Sequence, residues 1–312
     1  MYTRSPAKRL LMLTSAVLLL LAVCLVLRTK PRSTWTQSPL VDTAISGWLK
    51  GNDGALSALA DTFRRSTDGD QAVILESLSD YLNIGREARV RQACARVMAW
   101  CGPSAGKPLA KALENDPDQE VKLEAALALA QAGTESELPQ LLRAALRDTG
   151  PSGEMGRISI AAIRSIGEIG GPMAGRILRE LWGQEGMSSN ARALIIVSIG
   201  AVKDLANLDF LLSVESQAGQ MQGPAVLALR TIAEANAGKE AVVARIRPIM
   251  RKRIADQNDV IRGDAIACLG SIGDSQDIRE IEKLIEKESN PRVRVTATFA
   301  IDSIRERAGL ER

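Results

Sequence analysis

Residues 261–273, Ile-Arg-Gly-Asp-Ala-Ile-Ala-Cys-Leu-Gly-Ser-Ile-Gly, set a pattern that returns six more times along the chain. Counted from Ile261, apolar or small residues stand at positions 1, 5, 8, 9 and 12, which share one face of an α-helix. Position 13 is Gly, the residue that most often closes a helix in the left-handed conformation. Aligned on position 13, the units end at Gly102, Gly133, Gly170, Lys203, Asn236, Gly273 and Arg305, at intervals of 31, 37, 33, 33, 37 and 32 residues. Each interval holds two helical patterns, and neither helix can bury its apolar face inside a single unit. The units must therefore stack, and the predicted fold is an all-α solenoid.

The first helix of each unit repeats its core closely: Val90, Cys94, Val97, Met98; Val121, Ala125, Ala128, Leu129; Ile158, Ala162, Ser165, Ile166. The later units agree, with Ala191, Ile195, Ser198, Ile199; Pro224, Ala228, Thr231, Ile232; and Val293, Ala297, Ala300, Ile301. Small residues recur at position 5, where close helix approach leaves no room for bulk. Second helices show the same periodicity, as in Leu138, Leu141, Leu142, Leu146 and Ile278, Ile281, Leu284, Ile285. Asp116-Pro117 and Asn290-Pro291 supply cap and first-turn residues, and Pro103 and Pro172 follow helix ends. Residues 40–86 are less regular, with helical patterns over Val41–Leu49, Leu56–Arg64 and Ala72–Leu82, and read as a capping start to the array.

Upstream lies Leu10–Leu27, eighteen residues without a charge. At about 1.5 Å per residue they span roughly 27 Å, close to a bilayer core. Arg4, Lys8 and Arg9 precede the run, and Arg28, Lys30 and Arg32 follow it at once with no small-x-small processing site. Residues 1–9 are therefore expected to form a short basic tail, 10–27 an uncleaved transmembrane signal anchor, 28–39 a linker and 40–312 the solenoid. Leu21-Ala22-Val23-Cys24 lacks the small residue that a lipid-attachment motif needs before its Cys. A basic N-terminus of this kind usually stays in the cytoplasm, placing the solenoid outside it, as in a single-pass protein of a bacterial inner membrane. Trp35 is either an interfacial anchor or a tether residue packed on the first helix.

The segments 259–274 and 119–133, Gln-Glu-Val-Lys-Leu-Glu-Ala-Ala-Leu-Ala-Leu-Ala-Gln-Ala-Gly in the second case, resemble HEAT repeats. More narrowly, they resemble the bacterial subtype first described in phycobilisome lyase subunits. The resemblance covers most of 86–312. It implies an armadillo-like, right-handed α-α superhelix of about seven to eight helix pairs. It also implies that second helices line a concave surface used for protein contacts.

Chemistry is hard to place in this chain. With no His there is no common general base and no usual metal ligand. Cys94 and Cys101 lie about 10.5 Å apart in helical rise, too far to bridge, and read with Cys268 as buried small hydrophobes. Gly167, Gly170 and Gly171 follow no strand and precede no Lys-Ser/Thr, so they are helix ends rather than a phosphate loop. No catalytic residue, metal ligand or cofactor site is assigned.

Charge narrows the partners. The chain has 40 basic and 37 acidic residues, and six of the basic ones fall in the first 32 residues; the remaining 34 against 37 leave a net −3. A mildly acidic body is poorly suited to nucleic acid. The leading expectation is a membrane-tethered, non-catalytic scaffold that binds another protein. The alternative that the resemblance allows is an accessory or lyase-like subunit presenting an acid to a bound tetrapyrrole. Basic residues at position 2 (Arg91, Lys122, Arg192, Arg262 and Arg294) are expected to bond to acids or carbonyls of neighbouring units. The second helix after Asn236 is the most basic, with Arg245, Arg247, Arg251, Lys252 and Arg253. If second helices are concave, Arg179, Arg247, Arg251 and Lys283 form a candidate partner-binding channel. Pro248 inside that helix is expected to kink it or mark its start.

Overall fold

The structure is a computed structural model describing residues 38–309, apart from 53, 84, 148–154 and 218. The expected anchor at 10–27 and Trp35 lie outside the described residues. Among those residues no helix is long and apolar enough to cross a membrane.

The described chain is all-helical. Three helices open it, α1 (Pro39–Leu49), α2 (Gly54–Arg65) and α3 (Asp68–Tyr81), close to the three irregular patterns read from the sequence. At Ser38, the first described residue, the N–H donates to the buried Ser77 Oγ at 2.6 Å and fixes the chain onto α3. First helices then alternate with second helices. The first helices are α4 (Ala88–Met98), α6 (Gln119–Ala132), α8 (Arg157–Ile169), α10 (Ser189–Ala201), α12 (Gln222–Ala235), α14 (Asp259–Ile272) and α16 (Pro291–Ala308). Between them lie the second helices α5 (Gly106–Asn115), α7 (Leu138–Arg147), α9 (Gly171–Trp182), α11 (Leu208–Ser216), α13 (Glu240–Arg253) and α15 (Ser275–Ile285). Short 3-10 turns at Pro103–Ala105, Glu135–Glu137 and Leu205–Asn207 lead into α5, α7 and α11.

The core positions read from the repeat are buried, among them Cys94, Ala125, Ala162, Ile195, Ala228, Ala265 and Ala297 at position 5. Pro224 and Thr231 are the exceptions, both half-buried; Ala225 and Val226 bury instead. Buried apolar side chains form one continuous core from Val41 to Ile304, as stacking requires.

Two points of local punctuation differ from the sequence reading. Asp116 does not cap α6: Asp118 does, accepting from the N–H groups of Glu120 and Val121, while Asp116 is withdrawn into the core. Position 13 is glycine for two reasons, not one. Gly102 and Gly170 do adopt positive φ, at 68° and 71°. Gly133 and Gly273 are extended, with φ of −74° and −73°. There a Cβ would lie 2.5 Å from the carbonyl oxygen of Leu129 or Leu269, so close approach excludes a side chain. Pro248 sits within α13, and the helix runs continuously from Glu240 to Arg253.

The last described helix departs from the core pattern at two positions. Position 6 is buried in every earlier first helix, as Ala95, Ala126, Ile163, Ile196, Leu229 and Ile266. In α16 it is the exposed Thr298, and position 10, elsewhere Gly or Ala, is Asp302. Arg307 on α16 donates back to the Gly270 and Gly273 carbonyls at 2.6 and 3.0 Å, tying the helix to the unit before it.

Candidate functional site

Of the position-2 residues, Arg91, Arg262 and Arg294 bond to acids or carbonyls as expected, Arg192 packs on an aromatic ring instead, and Lys122 makes no side-chain hydrogen bond or ion pair with a described residue. Arg91 is buried and grips Asp116 through Nε and Nη2 at 2.7 and 2.8 Å. Those hydrogen bonds push its guanidinium pKa further up. Arg262 repeats the fork on Glu288 at 2.7 and 2.8 Å. Arg294 donates to the Glu288 carbonyl, and Arg192 lies over the Trp182 ring at 5.3 Å. Each bond joins a first helix to a neighbouring loop or helix. Planar, bidentate pairing suits Arg to that role.

The basic cluster on α13 is likewise spent inside the chain. Arg245 and Arg253 reach back to Asp209 and Glu215 on α11. Arg247 and Arg251 reach forward to the start of α15. Arg247 donates to the Ile272 carbonyl and to Asp274, both at 3.1 Å. Arg251 donates to Asp277 at 2.6 Å and to Asp274 at 3.1 Å. Asp274 and Asp277 form the capping box of α15, so the arginines are anchored on a helix start. Arg179 makes the equivalent contact one part of the array earlier, donating to Asn207 at the end of the Asp204–Asn207 turn. The channel of Arg179, Arg247, Arg251 and Lys283 is thus not four free cations. Three are struts between units, and of the four only Lys283 is exposed with no side-chain hydrogen bond or ion pair to a described residue.

Spacing between units points to the other face. First helices pack backbone against backbone: a Cβ on Gly200 would lie 2.6 Å from Ala228 Cα, and one on Gly270 would lie 3.0 Å from Ala300 Cα. In the second layer the close neighbours are side chains of capping residues instead. Gly106 faces Glu137, Gly171 faces Glu135 and Gly175 faces Asn207. Successive first helices accordingly lie much nearer one another than successive second helices do. A two-layer stack curves toward its tighter layer. The first helices therefore line the inner side, and the implication that second helices do so is corrected.

On this inner side, position 7 of one unit meets position 4 of the next. At Arg96 and Glu124 the meeting is a bidentate ion pair, both bonds 2.9 Å. Arg230 and Asp264 pair at 3.0 Å, with Glu234 also on Arg230 at 2.7 Å. Between these charged ends the face is apolar apart from the exposed Arg164. Leu127 is 45% exposed, and Leu123, Ile160, Leu194, Val197 and Leu227 are half-buried. Sequence reading missed this surface because it weighed only buried positions; the signal was present in α10, where Ala193 and Val197 are half-buried and apolar outside the core cluster that Leu194 packs against.

No catalytic grouping emerges among the described residues. No three His, Cys, Asp or Glu are placed to hold a metal ion there. Burial pushes the Cys94 and Cys268 thiols up, and that of Cys101 up to about 12, so none is a thiolate at neutral pH. A groove of 660 Å³ between α3 and α5 is lined by Leu82, Lys107, Pro108 and Ala112. Its buried acid, Asp116, is the one held by Arg91.

The stacked helix pairs define an all-helical solenoid. Residues 75–153, from α3 through α7, match the family model of HEAT repeats. No curated protein sequence matches the chain. Among solved structures, the chain is similar to the CpcE–CpcF complex of phycocyanin lyase from Nostoc sp. PCC7120, with 15% identity, a TM-score of 0.42, and 88% of this chain and 98% of that chain covered. It is also similar to the YibA protein of Escherichia coli, with 16% identity, a TM-score of 0.41 and coverage of 79% and 96%. Human deoxyhypusine hydroxylase in complex with glycerol gives 16% identity, a TM-score of 0.35 and coverage of 74% and 96%.

Proposed function

We propose that this chain is a non-catalytic scaffold, held at a membrane by residues 10–27, that binds another protein on the inner, first-helix side of its solenoid. The observation that carries the reading is the apolar strip of Leu127, Ile160, Leu194 and Val197, framed by the ion pairs Arg96–Glu124 and Arg230–Asp264. Exposed apolar area framed by fixed charge is how protein-binding surfaces are built. On the second-helix side Arg179, Arg247 and Arg251 are instead bonded to neighbouring units.

The test places a photo-crosslinking amino acid at Val197 in the full chain, and in a separate variant at Lys283, in the native cells. The reading predicts a discrete protein adduct from position 197, with the chain retained in the membrane pellet through an alkaline wash. An adduct from position 283 alone would reassign the binding side.

A further inference from the structure

Three arginines occupy position 7 on the inner face, and they are not alike. Arg96 and Arg230 each meet an acid at position 4 of the next unit, Glu124 and Asp264. Arg164 stands at the same register on α8, but the residue at position 4 of the next unit is Leu194. Arg164 is exposed, and it has no hydrogen bond or ion pair with any described residue. Glu168 lies one turn further along α8, as Glu234 does from Arg230, yet Arg164 makes no bond to it. A positive charge therefore sits inside the apolar strip with no bonded counter-charge among the described residues.

Resting on the scaffold reading above, we infer that the inner face recognises an apolar, helical segment of a partner protein that carries a carboxylate side chain to meet Arg164. The charge balance decides the chemistry. A wholly apolar partner seated over Leu127, Ile160, Leu194 and Val197 would cover Arg164 and strand its guanidinium away from water, which disfavours binding strongly. A basic segment would add like-charge repulsion. A segment with one acid on its apolar face satisfies the guanidinium bidentately while its other residues bury against the strip. The arginines at the two ends already hold acids, Arg96 with Glu124 and Arg230 with both Asp264 and Glu234, so they set the limits of the strip and leave Arg164 to fix register and orientation. The acid is selected because the protein supplies its counterpart at the other two units and withholds it at this one.

The experiment uses the full chain with the photo-crosslinker at Val197, in native cells, with the attached partner segment sequenced by mass spectrometry. The inference predicts an apolar segment with Asp or Glu within one helical turn of the attachment point. It further predicts that Arg164→Glu lowers the adduct yield at least tenfold, and that changing the partner's acid to Lys restores it. Arg164→Gln separates loss of charge from misfolding and should fall between wild type and Arg164→Glu, with an unchanged melting temperature. An attached segment without an acid, or a yield indifferent to Arg164→Glu, overturns the inference while leaving the scaffold reading intact. Absence of any adduct at position 197 overturns both.

Discussion

Arg251 Nε lies 2.6 Å from Asp277 Oδ1, joining the end of one second helix to the start of the next across a unit boundary. Asp277 is fully buried, whereas the Arg251 side chain keeps 25% of its exposure. Removing the arginine strands a carboxylate that the core cannot hydrate. Because Arg251 is partly solvated, the penalty falls below that of a wholly buried pair, at about 2 kcal/mol. Arg251→Ala should therefore lower the denaturant midpoint, and Arg247→Glu with Arg251→Glu should lower it further. A partner-binding role alone would leave the midpoint unchanged.

The tight inner layer predicts opposite outcomes for two glycines. A Cβ at Gly200 would stand 2.6 Å from Ala228 Cα, so Gly200→Ala must push two first helices apart and should destabilise by about 1–3 kcal/mol. At Gly263, within α14, nothing lies within 4 Å of the added carbon. Gly263→Ala should stabilise by about 0.5–1 kcal/mol through helix propensity alone. Equal effects in thermal unfolding would refute the difference in packing.

Acid should loosen the stack through Glu288. Its carboxyl is held below the usual range, first by the hydrogen bonds from Arg262 and then by the Asn290 N–H. A depressed folded pKa contributes stability that is fully present above the unfolded value, near 4.5, and is lost as pH falls through the lower folded value. Glu288→Gln should therefore be less stable than wild type at neutral pH, with the gap closing as pH falls from about 5 toward 3. Urea titrations of both proteins across that range check it; a gap that widens in acid contradicts it.

Thr298 and Asp302 on α16 are polar where earlier first helices are apolar or small. Thr298→Ile with Asp302→Ala would restore the pattern that receives a further unit, next to the exposed Val295 and Phe299. The double variant should self-associate in a concentration-dependent way by sedimentation, while wild type at the same concentration does not.

The repeat was legible because stacking forces the same small and apolar residues back into the same register, as Ala125, Ala162 and Ala265 show. What escaped the sequence was the destination of the arginines. Asp277 is 26 residues from Arg251 and lies at the start of the next second helix, so no spacing within one helix reveals the pair. The inner side was hidden for a related reason. Curvature depends on the difference between two layer spacings, and that difference is set by contacts such as Gly200 with Ala228, formed only once units stack. Arg164 was visible in the sequence, yet it becomes distinctive only after Arg96 and Arg230 are seen to hold acids.

The central claim, that the first helices line the inner side, is tested most directly by paired spin-label distances across the same stretch of units. One pair is placed on the first helices at Gln131 and Ser271, the other on the second helices at Leu146 and Glu286. The buried thiols of Cys94, Cys101 and Cys268 resist labelling, so introduced cysteines carry the signal. The structure predicts a shorter distance between Gln131 and Ser271 than between Leu146 and Glu286. Equal distances, or the reverse order, would contradict the placement of the inner face and with it the proposed binding side.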